Sequence, residues 1–403
     1  MAPRRALLLA AATAALAAAQ GGPWDAKLLL HTDATAARLG AYCLDGSKGG
    51  FYYRPASSPA ARNKWKLHFM GGGWAFTPEE LLSRSRGLTG SSRTWQPWLG
   101  TFFGFFGLDS LNDTSVSIVG DFNFVWFQYC DGTSQTSDLA APLVVNGTAL
   151  HLRGRALLDA HLAELDANFN FTATAAEVIV GGTSAGGLSA HLHAPLLAAR
   201  LPRARVVAVP DAGWWWDTPS FASPAARPWL DAMTPAVALW NASFSPANPA
   251  AAACAAANAA APARCLTQPY QAAFSSVPTF HAQSLYDTAG LNYCYHMPCH
   301  LAGRDAGSCS AEQVAGIQAY AARVRASIEG AARKGDGWFL QGCSQHETSC
   351  RALDWFGVAT PSGKTMNSTF AEWYGGVGPG REVDAAWPLD ASCAAASFDH
   401  GFC

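Results

Sequence analysis

The sequence has little charge and no excess of either sign. Charged residues make up 14% of its 403 residues, and 27 lysines and arginines nearly balance 29 aspartates and glutamates. A nucleic-acid-binding protein usually carries a basic surface or stripe, so this balance argues against that class. The composition also argues against a disordered chain, because half of the residues are hydrophobic. We expect a globular protein with a large core.

Long apolar runs are also scarce. The main one, Ala6–Ala19, follows Arg4 and Arg5 and ends in small residues. That order is typical of a secretory signal peptide, and the run is too short and too rich in alanine to be a good membrane span. A buried N-terminal helix is the alternative. We expect residues 1–20 to be a signal peptide and residues 21–403 to form a soluble, secreted protein with no stable membrane insertion.

The sequence lacks a convincing metal-ligand pattern. Cys294 and Cys299, with His296 and His300 nearby, come closest to a zinc site, but no second matching ligand pair is present. Eleven cysteines in an exported chain are better explained as disulfides. Cys254 is predicted to pair with Cys265, and the odd count leaves at least one cysteine unpaired or paired between chains.

Sequons for N-glycosylation support the secretory interpretation. An Asn-x-Ser/Thr motif occurs at five positions, namely Asn112, Asn146, Asn170, Asn241 and Asn367. Together with a signal peptide, they favour passage through a eukaryotic secretory route.

Short runs typical of strands alternate with segments typical of helices. The predicted strands are Lys64–Phe69, Asn123–Tyr129, Glu177–Val180, Arg205–Val209, Val277–Leu285 and Gly337–Gln341, and the predicted helices are Arg153–Leu165, Ala185–Arg200 and Ala311–Lys334. This alternation indicates an α/β fold with a mostly parallel sheet and helices on both faces. We expect a single domain with insertions. The alanine-rich region within residues 240–275 could be a cap over the sheet, or a plain surface helix or linker.

A glycine-flanked serine suggests the chemistry. Gly182-Thr183-Ser184-Ala185-Gly186 fits the G-x-S-x-G turn between a strand and a helix, which holds a nucleophilic serine in a strained conformation. The alternative is a structural turn with an ordinary helix-capping serine. Farther upstream, Gly71-Gly72-Gly73-Trp74 follows a predicted strand. Its backbone N–H groups, with that of Ala185, are candidate donors to an oxyanion.

A nucleophilic serine needs a base and an acid that orients the base. His346 is the best candidate base, because it follows a predicted strand and lies between Cys343 and Cys350. His191 and His193 lie on the helix that leads away from the serine. The candidate acids are Asp287, Asp211 and Asp217. Position after a strand favours Asp287 only slightly over Asp211.

These motifs together resemble the pectin acetylesterase family, which includes the Notum-type carboxylesterases. The resemblance runs in order from about Cys43 to about Trp373, in the blocks Cys43–Ser47, Gly71–Trp74, Ser83–Arg86, Gly90–Ser92, Tyr129–Ser134, Gly181–Gly187, Asp211–Gly213, Tyr286–Asp287 and Cys343–His346. The family element around His346 has an altered order here, because Cys343 precedes Ser344.

The resemblance implies an α/β-hydrolase fold and a triad of Ser184, Asp287 and His346. It implies backbone oxyanion donors at Gly73, Trp74 and Ala185, and a structural role for Tyr129–Gly132. This chemistry uses no metal ion and no cofactor. The implied protein is an extracellular or cell-wall esterase that removes O-acetyl groups from a pectin-like polysaccharide.

Some positions depart from the family pattern. An acidic residue is common before the three glycines, where this chain has Met70. Cysteines expected after the tryptophan and before the Ser-Arg block are replaced by Ala75 and Leu82, so one family disulfide is predicted to be absent. We expect the loop over the oxyanion site to have a different shape, which leaves the size of the substrate open.

Two other functions remain open. A lipid-acyl esterase of the Notum type would remove a fatty acyl group from a protein, and the fifteen tryptophans and a phenylalanine-rich segment at Phe102–Phe106 could line its apolar pocket. The same aromatic residues could be core or could stack on sugars. A carbohydrate-binding protein with an inactive hydrolase fold is the other alternative, and the intact serine, aspartate and histidine argue against it.

Overall fold

The computed structural model describes residues 26–99, 117–243, 247–301, 306–349 and 353–387. Twelve strands lie within this part of the chain. They are β1 (Ala26–Leu30), β2 (Gly50–Arg54), β3 (Lys64–Phe69), β4 (Trp98–Leu99), β5 (Asn123–Phe127), β6 (Leu143–Val145), β7 (Thr148–Leu150), β8 (Glu177–Thr183), β9 (Arg205–Asp211), β10 (Phe280–Ser284), β11 (Gly337–Gln341) and β12 (Arg381–Val383).

Ten of these strands form one sheet in the order β12-β11-β10-β9-β8-β3-β5-β2-β1-β4. The strands from β5 to β12 in that order pair in parallel, whereas β2, β1 and β4 add an antiparallel edge. The prediction of a mostly parallel sheet is therefore confirmed. Strands β6 and β7 form a separate hairpin.

Eleven α-helices lie in the described ranges. They are α1 (Asp33–Leu39), α2 (Pro78–Arg84), α3 (Gly154–Phe169), α4 (Phe171–Thr174), α5 (Ala185–Arg200), α6 (Pro228–Leu239), α7 (Pro249–Ala257), α8 (Gln268–Ala272), α9 (Thr288–Tyr293), α10 (Ala311–Ala331) and α11 (Met366–Gly375). Short 3₁₀ helices at Pro59–Ala61 and Pro262–Leu266 and a π-helical turn at Leu353–Gly357 complete the set.

Helices cover both faces of the sheet, as predicted. Successive residues of a strand point to opposite faces. In β8, Val178 and Val180 pack in the same cluster as helices α3 and α5, whereas Ile179 packs in the cluster of helices α10 and α11. Each face of the central strands is thus buried under its own pair of helices. Strands β8 and β9 are mainly apolar because both of their faces are covered, whereas β3 also buries Lys66 and His68.

Several predicted boundaries need correction. Strand β10 begins at Phe280 rather than Val277, and α10 ends at Ala331 rather than Lys334. The helix ends there because Ala332 is extended and the next amide, that of Arg333, donates to the Asp336 carboxylate at 2.8 Å. The strand predicted over Asn123–Tyr129 ends at Phe127.

The disulfides agree with the cysteine analysis in part. Cys254 is bonded to Cys265, as predicted, and two further pairs join Cys43 to Cys130 and Cys299 to Cys309. The zinc interpretation is wrong for Cys299, because a cysteine in a disulfide has no thiolate to offer a metal. Cys294 is buried and unpaired among the described cysteines.

The alanine-rich region packs beside the helix that follows Ser184. The Asn248 side chain donates to the carbonyl oxygen of Leu192, and the Gln271 side chain donates to that of His191 at 2.9 Å. Both acceptors lie on α5, so these contacts fix the region against that helix. Its role as a cap stays a prediction.

The signal peptide, Asn112, Phe102–Phe106 and Cys350 lie outside the described residues. No helix in the described ranges is long and apolar enough to cross a membrane.

Candidate active site

The carboxyl ends of the central parallel strands meet at one edge of the sheet. Phe69 of β3 lies beside Gly182 of β8, and Thr183 lies beside Asp211 of β9. The segments that leave these strands carry the three glycines and Ser184. In open α/β sheets, ligands bind at this edge.

Ser184 occupies the turn between β8 and α5 in a strained conformation. Its backbone has φ 56° and ψ −119°, a region that a residue with a side chain adopts only when its surroundings enforce it. The Ser184 amide donates to the carbonyl oxygen of Asp211 at 2.9 Å, which helps to enforce it. Ser184 is only 6% exposed, so it is less accessible than the turn motif suggests.

The flanking glycine at position 186 is required by close packing. A Cβ atom at Gly186 would overlap the carbonyl oxygen of Phe69 and press on that of Met70. The strand β3 and the start of α5 can approach each other only because no side chain stands between them. The G-x-S-x-G pattern is therefore explained by the way β3 and α5 pack around Ser184.

His346 and Asp287 form a pair at the same edge. The His346 Nδ1 lies 3.0 Å from each carboxylate oxygen of Asp287. The carboxylate is buried and also accepts hydrogen bonds from the Gly290 amide at 2.8 Å and the Gln283 side chain at 3.1 Å. Asp287 caps helix α9, so its position is fixed from three sides. Sequence reasoning did not identify Gln283 as its partner.

The carboxylate of Asp287 changes the acidity of His346. Burial by itself lowers the pKa of a histidine, but the charge of Asp287 and its hydrogen bond outweigh burial and raise the pKa of His346 to about 9. An imidazole whose Nδ1–H donates to a carboxylate presents Nε2 as the acceptor for a proton. The pair can therefore act as an oriented base.

Asp211 has a different set of partners. Its carboxylate accepts hydrogen bonds from the backbone amides of Thr348 and Ser349, both at 2.6 Å, and from the Thr348 hydroxyl at 2.8 Å. It therefore anchors the loop that carries His346, and the hydrogen bond to the imidazole comes from Asp287 instead. Asp217 instead lies 3.3 Å from Arg227 in an ion pair.

Ser184 and His346 belong to one cluster but are not joined directly. The Trp215 indole donates to the Ser184 carbonyl oxygen at 3.2 Å, and its ring centre lies 6.0 Å from that of His346. Among the described residues, no hydrogen bond joins the Ser184 hydroxyl to the imidazole. Such bonds often tighten only when substrate is bound.

The three-glycine loop lies next to Ser184. A Cβ atom at Gly71 would stand 3.1 Å from the Cβ of Ser184 and 2.9 Å from the side chain of Glu347. Glu347 is a buried residue at φ 61°, and the sequence analysis did not identify it as part of the site. Gly72 and Gly73 have φ values of 133° and 67°, which only glycine adopts readily. The loop is therefore held close to the serine in a shape that other residues would not take.

The side chain of Trp74 ties this loop to the residue after the serine. Its indole donates to the Ser134 hydroxyl at 2.8 Å, and that hydroxyl donates to the carbonyl oxygen of Ala185, also at 2.8 Å. The backbone amides of Gly73, Trp74 and Ala185 have no hydrogen-bond acceptor in the described part of the chain. They are available to a substrate oxygen.

The tryptophan beside His346, Trp215, packs against two other tryptophans. Trp74, Trp215 and Trp229 pack on one another with ring centres 4.8 to 5.1 Å apart, and all three are nearly inaccessible. The glycine loop also lines a cavity of about 520 Å³. It is lined by Met70, Gly72, Trp74, Glu80, Ser83, Arg84, Leu88 and Thr89.

The other two candidate histidines, His191 and His193, have contacts away from the Ser184 side chain. His193 Nε2 lies 3.1 Å from the carbonyl oxygen of Ser134, and His191 packs 5.3 Å from His281, between ring centres. Burial lowers the pKa of His193 to about 4 and that of His191 well below its usual value. No group of three metal-ligating side chains occurs in the described ranges.

The sheet order and the strained serine turn define a protein of the α/β-hydrolase class. Comparison with known proteins identifies its family. The model of the family named pectinacetylesterase matches residues 25–394. The chain therefore belongs to the pectinacetylesterase family, and the prediction of an enzyme that hydrolyses carboxylic esters is confirmed.

Individual relatives support this membership. Pectin acetylesterase 5 of Arabidopsis thaliana is 25% identical over 379 residues, which cover 90% of this chain and 84% of that protein. Pectin acetylesterase 11 of the same plant is 33% identical over 187 residues, or 45% of this chain and 44% of that protein. Among solved structures, the Wnt deacylase Notum from Drosophila has the same fold, with a TM-score of 0.73 at 20% identity over 91% of this chain and 97% of that one.

Proposed function

We propose that this chain is a secreted serine carboxylesterase that removes O-acetyl groups from an extracellular, pectin-like polysaccharide. The observation that carries the proposal is the joint presence, at one sheet edge, of a strained serine and a histidine held by a buried aspartate. Family membership supports an ester as the substrate. The proposed catalytic residues are Ser184, His346 and Asp287.

The proposed reaction has two halves. Ser184 Oγ attacks the ester carbonyl carbon while His346 Nε2 takes its proton, and the carbonyl oxygen becomes an oxyanion held by the amides of Gly73, Trp74 and Ala185. The tetrahedral intermediate collapses, the C–O bond to the sugar breaks, and His346 returns the proton to the departing sugar oxygen. Water then repeats the sequence on the acyl-enzyme and releases acetate. Asp287 holds the imidazole and stabilises its positive charge.

The surroundings of the site favour a small acyl group on a sugar. Trp215 lies beside His346 and packs against Trp74 and Trp229, and this packing supports a small acyl group because a long chain on that side would have to displace buried rings. The cavity that the glycine loop lines carries the polar side chains of Glu80 and Ser83 beside Met70, Trp74 and Leu88, a mixture that suits a sugar, which has both hydroxyl groups and apolar ring faces.

Secretion is supported by three features of the chain. The first twenty residues have the order of a signal peptide. Three disulfides within the described ranges fit an oxidising compartment. The sequon asparagines Asn146, Asn170 and Asn241 are exposed.

The test compares acyl chains and substrates. Wild type and Ser184→Ala are assayed with p-nitrophenyl esters from acetate to decanoate, and with acetate release from acetylated pectin. We expect the highest kcat/KM for the acetyl ester, acetate release by wild type, and no activity in the variant. A clear preference for octanoyl esters would identify a lipid-acyl esterase instead. Binding of pectin without any hydrolysis would identify an inactive carbohydrate-binding protein.

A further inference from the structure

Two side chains hold three successive carbonyl groups of the glycine loop. The Arg84 guanidinium donates to the carbonyl oxygen of Gly72 at 2.7 Å and to that of Trp74 at 3.2 Å. The Tyr129 hydroxyl donates to the carbonyl oxygen between them, that of Gly73, at 2.9 Å. Arg84 lies at the end of helix α2 and Tyr129 just after β5, so the loop is held by parts of the fold outside the strand that leads into it.

The C=O and N–H groups of one trans peptide plane point in opposite directions. The plane that contains the Gly72 carbonyl also contains the Gly73 amide, and the plane with the Gly73 carbonyl contains the Trp74 amide. A side chain that fixes the carbonyl therefore also fixes the direction of the amide. We propose that Arg84 and Tyr129 are positioning residues, which aim the Gly73 and Trp74 amides at the oxyanion of the reaction proposed above.

Both side chains are themselves held in place. The Tyr129 hydroxyl accepts a hydrogen bond from the Ser134 amide at 3.1 Å, so its own proton is left for the Gly73 carbonyl. Tyr129 is buried, and burial raises the pKa of its hydroxyl, which keeps it a donor. Arg84 also donates to the Thr89 hydroxyl at 2.9 Å, and its guanidinium lies 6.0 Å from the centre of the Tyr129 ring.

Arginine suits this position better than lysine. A planar guanidinium has donors in a fixed fork and can reach two carbonyl groups at once, whereas an ammonium is a point charge on a flexible stem. Glycines at positions 72 and 73 leave the loop backbone free to turn, because they restrict it least. The loop therefore depends on these outside contacts for its shape, and loss of Arg84 should leave the amides less well aligned.

The expected effect lies in kcat rather than in substrate binding. Loss of one complete oxyanion donor lowers kcat by about 10² to 10³. A misaligned donor is still present, so we expect Arg84→Ala to lower kcat by about 10-fold to 100-fold, with KM within about twofold of wild type. Arg84→Lys should recover part of the loss because it can hold one carbonyl. Tyr129→Phe should lower kcat to a similar extent.

The experiment measures kcat, KM and the binding of a transition-state mimic. A trifluoromethyl ketone forms a tetrahedral adduct with a serine and places an oxyanion in the hole. Its affinity should fall by about the same factor as kcat/KM in Arg84→Ala and Tyr129→Phe. Arg86→Ala is the matched control, because it removes an exposed arginine two residues away. The control should match wild type in all three quantities.

The outcomes separate this proposal from the proposed function. The ester used is the one that wild type hydrolyses fastest, so the result does not depend on the acyl preference. If Arg84→Ala and Tyr129→Phe stay within about twofold of wild type in kcat, the positioning role is wrong while the esterase remains. A lower kcat explained entirely by a smaller folded fraction, measured by circular dichroism, would also overturn it. A wild type without any esterase activity would overturn both.

Discussion

Substitutions of the two buried aspartates at the site are predicted to have different effects on stability and activity. In Asp211→Ala the amides of Thr348 and Ser349, each 2.6 Å from the lost carboxylate, would have no acceptor. A buried unpaired donor costs about 1–3 kcal/mol, so these two donors lower the free energy of unfolding by about 2–6 kcal/mol. Asp211→Asn keeps one acceptor oxygen and should lose less.

Asp287→Asn should have the opposite effect. Asparagine still offers an oxygen to the Gly290 amide, and Gln283, which loses its acceptor there, still donates to the carbonyl oxygen of Ser284, so we expect a smaller loss of stability than in Asp211→Ala. Its NH₂ group, however, would face the Nδ1–H of His346 and favour the tautomer whose Nε2 cannot take a proton. The kcat should fall by up to about 10⁴-fold. His346 itself is unchanged in this variant, so any loss reflects its orientation and charge.

The assay pairs urea unfolding with kcat per folded molecule for all three variants. The amount of folded protein is measured by circular dichroism before each rate measurement. If Asp211→Ala is stable and inactive, or if Asp287→Asn is unstable and active, the roles of the two carboxylates are reversed. Loss of both properties in both variants would mean that their roles cannot be separated in the way the contacts predict.

Three further predictions follow from single contacts or groups. Since neutral imidazole is the base, kcat/KM should rise with pH through the raised pKa of His346, about 9. In Asp287→Asn this rise should occur at lower pH. A kcat/KM that stays constant between about pH 6 and about pH 10 would contradict the prediction. Replacing Cys254 and Cys265 together by serine should lower the free energy of unfolding by about 2–4 kcal/mol with little change in kcat, and peptide mapping that finds both thiols free in wild type would contradict the disulfide. Asn146 is exposed on the β6–β7 turn and should carry a glycan in protein secreted from eukaryotic cells. Asn367 should not, because its side chain accepts a hydrogen bond from Trp355 at 2.9 Å. Asn146→Gln should therefore lower the mass of the secreted protein by that of a glycan, whereas Asn367→Gln should not.

The centre of the sheet could be predicted because its signals are local. Strands β8 and β11 contain short apolar runs ended by glycine or polar residues, β3 alternates polar and apolar residues before the three glycines, and all three strands are buried on both faces. The turn at Ser184 could be predicted because its strain and its close packing require small residues at fixed spacing from the serine. These features depend on neighbours in sequence and leave a pattern there.

The edges of the sheet left no such pattern. Strand β12 is only three residues long and β4 only two, and both are partly exposed. Strand β2, Gly50–Arg54, begins with a glycine and ends with a buried arginine whose guanidinium donates to the carbonyl oxygens of Gly120 and Phe122. Pairing with neighbouring strands, rather than local preference, makes these segments extended.

The choice between Asp287 and Asp211 also required the fold. Asp211 is the last residue of β9 and Asp287 follows β10, and both are buried at the same sheet edge. What separates them is that Asp287 meets the imidazole of His346, whereas Asp211 meets amides that lie 137 and 138 positions away along the chain. The same limit applies to Arg84 and Tyr129, whose contacts with the glycine loop have no signature in either segment alone.

The most direct test of the account is the identity of the residue that becomes acylated. A fluorophosphonate reacts with the activated serine of a hydrolase and leaves a stable adduct that peptide mass spectrometry can locate. We predict one adduct per molecule, on Ser184, with complete loss of ester hydrolysis, and no adduct in Ser184→Ala. Labelling at another residue, or ester hydrolysis that persists in Ser184→Ala, would contradict the assignment of the nucleophile.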